Sequence, residues 1–235
     1  QLLPFSFDEI ARLSARNACG LFETLWQGGY PRIHDRGLLA PEWLANYVDT
    51  YVQRDVRQVL RVGDLSRFDA FLRLCAGRSA QLVNLSSLAS DVGVAHHTIE
   101  GWISVLEASF IASRLPPFFA NLGKRLVKAP KLHFYDSGLL CYLLDIRSWS
   151  QLELHPLRGQ IFESWVVSEI MKHHANRGLR PRATFYRDRS CEVDVLLEHG
   201  DGLIAVEIKS GQTSSPSFFE GLTHVEGVLR GRGGI

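Results

Sequence analysis

No run in this 235-residue chain approaches the ~20 apolar residues of a membrane-spanning helix, and no cationic-then-apolar leader opens it. A helical membrane protein is therefore not expected, and a cytoplasmic location is. Cysteine is sparse. Cys19, Cys75, Cys141 and Cys191 stand apart with no C-x-x-C spacing, which points to reduced thiols and away from a zinc site. An excess of one charge is missing too. With 26 Lys and Arg against 25 Asp and Glu, bulk charge cannot hold nucleic acid, although a local basic patch can. There is no G-x-x-x-x-G-K-[ST] loop, so the backbone cradle for nucleotide phosphates is absent and no ATP-binding residue is assigned. Internal repeats and low-complexity segments are absent as well. The pairs His96-His97 and His173-His174 have no other metal-type ligand at useful spacing and read as surface helix residues.

What is present is a chain able to fill one large or two small cores. Ser6 with Glu9 has capping-box spacing, so a helix should start there, and Gly28-Gly29-Tyr30-Pro31 breaks the chain. From Pro41 to Leu60, apolar residues recur at three-and-four spacing, an amphipathic helix, and a second helix follows from Leu65 to Ala76. Residues Leu82 to Leu115 carry a helix-turn-helix pattern. Ser86 is the expected cap, Gly93 the turn, and Ile99, Trp102, Ile103 and Leu106 the buried face of the second helix. Phe110 to Leu115 would begin a wing. The exposed positions of that second helix offer His96, His97, Glu100 and Ser104, without Arg or Lys for bases or phosphates. Such a module reads either as a domain connector or as a DNA reader.

The strongest chemical pattern lies further on. Cys191 to Glu198 and Leu203 to Lys209 are β-rich runs flanking His199-Gly200-Asp201-Gly202, a hairpin signal. Side chains alternate along a strand, so Glu192 and Asp194 share one face and Glu207 and Lys209 share another. If the register sets Asp194 beside Glu207, two carboxylates and an ammonium converge. Carboxylate oxygens suit Mg²⁺ or Mn²⁺, and a lysine beside them can orient water or stabilise a phosphate under attack. The pattern resembles the PD-(D/E)XK nuclease superfamily, with Asp194 as its aspartate and Glu207-Ile208-Lys209 as its (D/E)-x-K element. A solvated edge hairpin is the plain alternative.

Upstream, Gly159 to His174 reads as a helix whose apolar arc holds Trp165, Phe162, Val166, Ile170 and Val167. Glu163 falls inside that arc, where a carboxylate needs compensation by a metal ion or a basic partner. In the superfamily a glutamate on the first core helix often completes the metal site. The resemblance therefore implies Glu163, Asp194 and Glu207 as metal ligands, with Asp194, Glu207 and Lys209 as the catalytic set. A salt-bridged structural acid is the alternative for Glu163. Arg187 is placed to pair with one of the acids. Between the two regions, Lys124, Arg125, Lys128 and Lys131 form the densest basic patch. It reads as a phosphate-contacting loop, an interface to an acidic surface, or an ordinary solvated loop.

Taken in order, Gly28-Gly29-Tyr30-Pro31, Tyr51 to Val56, Gly123 to Lys131, Tyr135 to Leu139, Arg158 to Glu163 and Glu192-Val193-Asp194 are similar to the C-terminal domain of unknown function of prokaryotic predicted AAA+-superfamily ATPases. The resemblance implies an N-terminal P-loop domain that alone would bind ATP and would partner this chain in cis. Arg54-Asp55 could contact it. Nucleic acid is the candidate partner of the nuclease-like part, and no membrane is expected. The expected class is α+β: residues 1–30 as the tail of that ATPase domain, 31–80 a helical linker region, 81–150 a winged-helix-like domain with the basic loop, and 151–235 a PD-(D/E)XK nuclease-like domain, short of its last strand.

Overall fold

The computed structural model describes residues 3–13, 20–52, 65–118, 129–200, 202–211 and 213–230. Among them helix and antiparallel sheet are mixed, an α+β chain. Helix α1 (Phe7–Leu13) opens on the capping box: Ser6 N donates to Glu9 Oε2 at 2.8 Å while Glu9 N donates to Ser6 Oγ at 3.3 Å. Next come α2 (Leu21–Gln27), α3 (Pro31–Arg36) and α4 (Ala40–Tyr47), α4 running on into one π-helical turn, Val48–Val52. The Arg54-Asp55 element and Cys19 lie outside the described residues, as do Lys124, Arg125 and Lys128 of the basic patch.

Helices α5 (Leu65–Gly77) and α7 (His96–Ala108) begin where expected, with α6 (Leu85–Val92) between them. Gly93 turns α6 into α7 with φ +73°. The cap of α6 is Asn84, not the expected Ser86: Asn84 Oδ1 accepts from Ser87 N at 2.9 Å, and Ser86 already lies within the helix. Ile99, Trp102, Ile103 and Leu106 are buried as expected, with Trp102 edge-on to Phe68 at 5.3 Å between centroids. Strand β1 (Ala112–Leu115) then pairs antiparallel with β2 (Lys131–Phe134). On its other side β2 is bound by the segment before α6, through Leu132 N to Gln81 O at 3.1 Å and Val83 N to Pro130 O at 2.8 Å.

Helices α8 (Ser137–Leu143) and α9 (Trp149–Leu154) lead to the long α10 (Arg158–Ala175). Asp136 starts α8 by accepting from Leu139 N at 2.7 Å, and its other oxygen accepts from Gly29 N at 2.7 Å. The chain break at Gly28 and the start of α8 are thus one joint. A Cβ on Gly138 would stand 2.7 Å from Gln27 O and 2.8 Å from the Gly28 Cα, so glycine is needed for the approach.

The second sheet runs β3 (Ala183–Arg187), β4 (Glu192–His199), β5 (Gly202–Val206), antiparallel with β4 central. His199 pairs with Gly202, a tighter hairpin than the four-residue turn read from sequence, with Gly200 at φ +58°. Helix α10 covers one face of this sheet through Val167 against Phe185 and Val195. Helix α11 (Glu220–Arg230) covers the other through Val225 against Tyr186, Val193 and Leu196. Covered on both faces, β4 buries Val193, Asp194, Val195 and Leu196 consecutively, which is why its pattern does not alternate cleanly. Pro116–Phe118 runs beside β3, with Phe185 N to Pro116 O at 3.0 Å and Phe118 N to Phe185 O at 2.7 Å, which joins the first half of the chain to this sheet.

The face of α10 differs from the expected arc. Phe162, Trp165, Val166 and Ile170 are only half-buried, whereas Ile161, Ser164, Val167, Ser168 and Lys172 are buried. The serines allow close packing on β2: Ser164 Oγ accepts from Phe134 N at 3.3 Å and meets Ser79 Oγ at 2.7 Å. No helix among the described residues is long and apolar enough to cross a membrane.

Candidate functional site

The β4–β5 ladder pairs Val195 with Val206 and goes no further. Glu207 and Lys209 therefore lie just past the strand, not within it as the alternation assumed. Asp194 explains the stop. Its Oδ2 accepts from Ile208 N at 2.8 Å, so a side chain takes the amide that another ladder step would have used. Asp194 and Glu207 are nevertheless neighbours across the end of the ladder, and the Asp194 charge adds to the burial that raises the Glu207 carboxyl. Lys209 pairs with Glu207 and keeps a side-chain exposure of 40%.

Glu163 reaches the same place from α10. Its partner is Lys131, the first residue of β2, whose Nζ stands 2.8 Å from Glu163 Oε1 and 3.5 Å from Asp194 Oδ1, and also pairs with Glu192. The Lys131 side chain is 3% exposed, so this member of the basic patch faces inward to carboxylates. Arg187 completes the ring with Nε 3.2 Å from Glu192 Oε2. Sequence reasoning put Glu192 on the Asp194 face but gave it no role, and it gave Lys131 a solvent-facing one.

Charge in this site is unbalanced. Glu163, Glu192, Asp194 and Glu207 supply four carboxylates, and among the described residues Lys131, Lys209 and Arg187 supply three cations. Burial, with the Asp194 charge added, pushes the Glu163 carboxyl up to about 7 even though Lys131 pulls it down. Burial also raises Glu207, against the hydrogen bond from Lys209. The two lysines move up from their ordinary range: burial opposes their charge, but the adjacent carboxylates outweigh it. Glu207 Oε2 is buried with no hydrogen-bond partner among the described residues. An orphaned, desolvated carboxylate oxygen beside a surplus anion fits a cation-binding role. A cleft of about 1250 Å³ lies elsewhere, between α1, α10 and the tip of the β4–β5 hairpin, and none of these carboxylates lines it.

A family model described as "Domain of unknown function (DUF8612)" matches residues 20–150, and one described as "Domain of unknown function (DUF4143)" matches residues 158–232. Lys131 falls in the first match and the four carboxylates in the second. The chain is similar to the uncharacterized proteins Mb2031c of Mycobacterium bovis and Rv2008c of Mycobacterium tuberculosis, each 30% identical over 178 residues. Each alignment covers 74% of this chain and 38% of the relative, so the chain spans well under half the length of these relatives. No solved structure matches the chain significantly.

Proposed function

The chain belongs to the family described as Domain of unknown function (DUF8612), and from there we propose that it is the C-terminal part of an AAA+-type ATP-binding protein, carrying a PD-(D/E)XK nuclease-like module that acts on nucleic acid with Mg²⁺ or Mn²⁺. In this reading α5, α6, α7 and the β1–β2 pair form a winged-helix-like unit, and α10, the β3–β4–β5 sheet and α11 form the nuclease-like core. The ATPase domain lies outside this sequence, and the relatives are long enough to hold one. The observation that carries the reading is the buried Glu207 Oε2, without a hydrogen-bond partner among the described residues, in a site where those residues supply four carboxylates and three cations.

Glu163, Asp194 and Glu207 would hold the cation. When bound, it would neutralise phosphate charge and lower the pKa of an attacking water. The chain's own residues do the rest. The Ile208 amide fixes the Asp194 carboxylate at 2.8 Å, and Glu207 holds the Lys209 ammonium where it reaches solvent and the charge developing on a phosphate. Lys124, Arg125 and Lys128 would take the nucleic-acid backbone electrostatically.

A second reading rests on Lys131. An ammonium seated among Glu163, Glu192 and Asp194 already does part of what a cation would do, so the module would be a non-catalytic scaffold of the ATPase with a degenerate site. Calorimetric titration with Mn²⁺ at low salt separates the two. Saturable binding to the chain that disappears in Asp194→Ala is the outcome the cation site requires. No heat in either protein leaves the scaffold.

A further inference from the structure

Away from the carboxylate cluster, the turn between β3 and β4 gathers a different set of ligand types. Asp188, Cys191 and His224 each bring one candidate ligand atom within 4.8 Å of the others. We propose that these three residues form a second metal site, for a borderline-soft divalent ion of the zinc class, which clamps α11 to the β3–β4 turn.

The turn is built around Asp188. Its backbone N–H donates to Cys191 O at 3.0 Å, and its Oδ1 accepts from Ser190 N at 2.7 Å, Ser190 Oγ at 2.8 Å and Cys191 N at 2.9 Å. These bonds fix the Asp188 and Cys191 side chains relative to each other and leave Oδ2 facing His224 Nε2 at 3.0 Å, with the Tyr186 hydroxyl donating to it at 2.8 Å. Helix α11 delivers His224 to this point by close approach. A Cβ on Gly221 would stand 2.8 Å from Glu192 O, and Gly221 and His224 are one helical turn apart on the same face. The imidazole and the Asp188 carboxylate remain 38% and 24% exposed, so an ion can reach them from solvent.

A thiolate, an imidazole and one carboxylate are the donor set that zinc prefers over Mg²⁺ or Ca²⁺, which want oxygen alone. Zinc bonds of about 2.0–2.3 Å bring ligand atoms to within about 4 Å of each other, a contraction that side-chain rotation supplies. Water would fill the open position. On binding, Cys191 releases its thiol proton to solvent. The imidazole proton moves to Nδ1, so that Nε2 offers its lone pair to the ion in place of its hydrogen bond to Asp188. Burial, with the negative charge of Asp188, Glu207 and Glu192 around it, pushes the thiol up to about 11. The same field draws in a cation, whose arrival reverses the local preference for a protonated sulfur. The clamp would add to a thin seat, because among the described α11 side chains Val225 is the one fully buried in the small cluster beneath it.

Metal-free chain under reductant is titrated with Zn²⁺ by calorimetry and with Co²⁺ by absorption. The expected result is a Zn²⁺ equivalent that depends on Cys191 and His224, beside any taken up by the carboxylate cluster, and a thiolate-to-cobalt charge-transfer band. Cys191→Ser and His224→Gln should each weaken binding of this equivalent by more than roughly tenfold, and Asp194→Asn should leave the Co²⁺ band unchanged. The Co²⁺ band is read on the unaltered chain, so it stands even if a variant fails to fold. Absence of the band, Zn²⁺ affinity unchanged in both ligand variants, or loss of the band in Asp194→Asn would each overturn the site.

Discussion

Glu163 is a carboxyl where little water reaches it, and the ammonium it pairs with, Lys131, is shared with two other carboxylates. Burial is the larger influence and Lys131 the smaller, so the carboxyl rises from its ordinary 4.5 to about 7 in the folded chain. The sign of the consequence follows from which state binds the proton more tightly. Here that is the folded state. Its contribution to stability is full below about 4.5, falls as pH rises, and is gone once pH passes about 7. The gap corresponds to roughly 3 kcal/mol. Glu163→Gln cannot ionise and should escape this loss. Urea unfolding with a chelator present, at about pH 5 and about pH 8, should show the variant gaining on the parent by up to roughly 3 kcal/mol between the two conditions. Parallel stability curves would mean that Glu163 is ordinarily acidic and that the charge surplus lies elsewhere.

Between elements, the tightest demand is at the joint of α2 with α8, where Asp136 bridges Gly29 and Leu139 and the Gly138 backbone rests on Gln27. Gly138→Ala forces its methyl against a carbonyl that cannot move without opening the Asp136 bonds. A loss of about 1–3 kcal/mol is expected, read as a lower urea midpoint with unchanged slope; a variant as stable as the parent would show that the joint is loose. Nothing in either glycine motif announced the other, because closeness of distant segments is not carried by local pattern. What local pattern carries was legible. The Ser6–Glu9 box, the Gly93 turn, the extent of α5, α7 and α10, and the β4–β5 hairpin all follow from spacing and capping chemistry. Glu163, Asp194, Glu207 and Lys209 were legible as candidates, from the (D/E)-x-K spacing and the acids interrupting an apolar arc, although Glu207 and Lys209 lie past the end of β5 and α10 buries a different face. The place of Lys131, the buried serine face of α10 and the meeting of Cys191 with His224 were not, since each depends on which element packs on which. The end of β5 escaped for a different reason: a side chain, Asp194, competes for the backbone amide of Ile208.

Across the whole molecule, the carboxylates on α10 and the sheet belong to the segment matched by one family description, and the lysine among them belongs to the other. Lys131 thus ties the helical half to the sheet half, alongside the backbone pairing of Pro116–Phe118 with β3 and the burial of Leu115 beneath α10. Removing one partner from a buried ionic cluster leaves the others uncompensated, at a cost of about 3–5 kcal/mol. Lys131→Met keeps the stem and removes only the charge, so it should unfold at lower urea in chelator by about that amount. The same variant bears on the cation site. With the ammonium gone, a divalent ion meets the carboxylates without a resident competitor, so saturating Mn²⁺ should restore more stability to Lys131→Met than it adds to the parent. Should Lys131→Met unfold with the parent in chelator, the two halves are coupled without the ammonium, through the strand pairing, Leu115 and the Ser164 bonds to Ser79 and Phe134. A clear loss that Mn²⁺ does not repair would leave Lys131 as the permanent counter-ion of a structural site, because only a site able to exchange ammonium for metal gains stability from the ion.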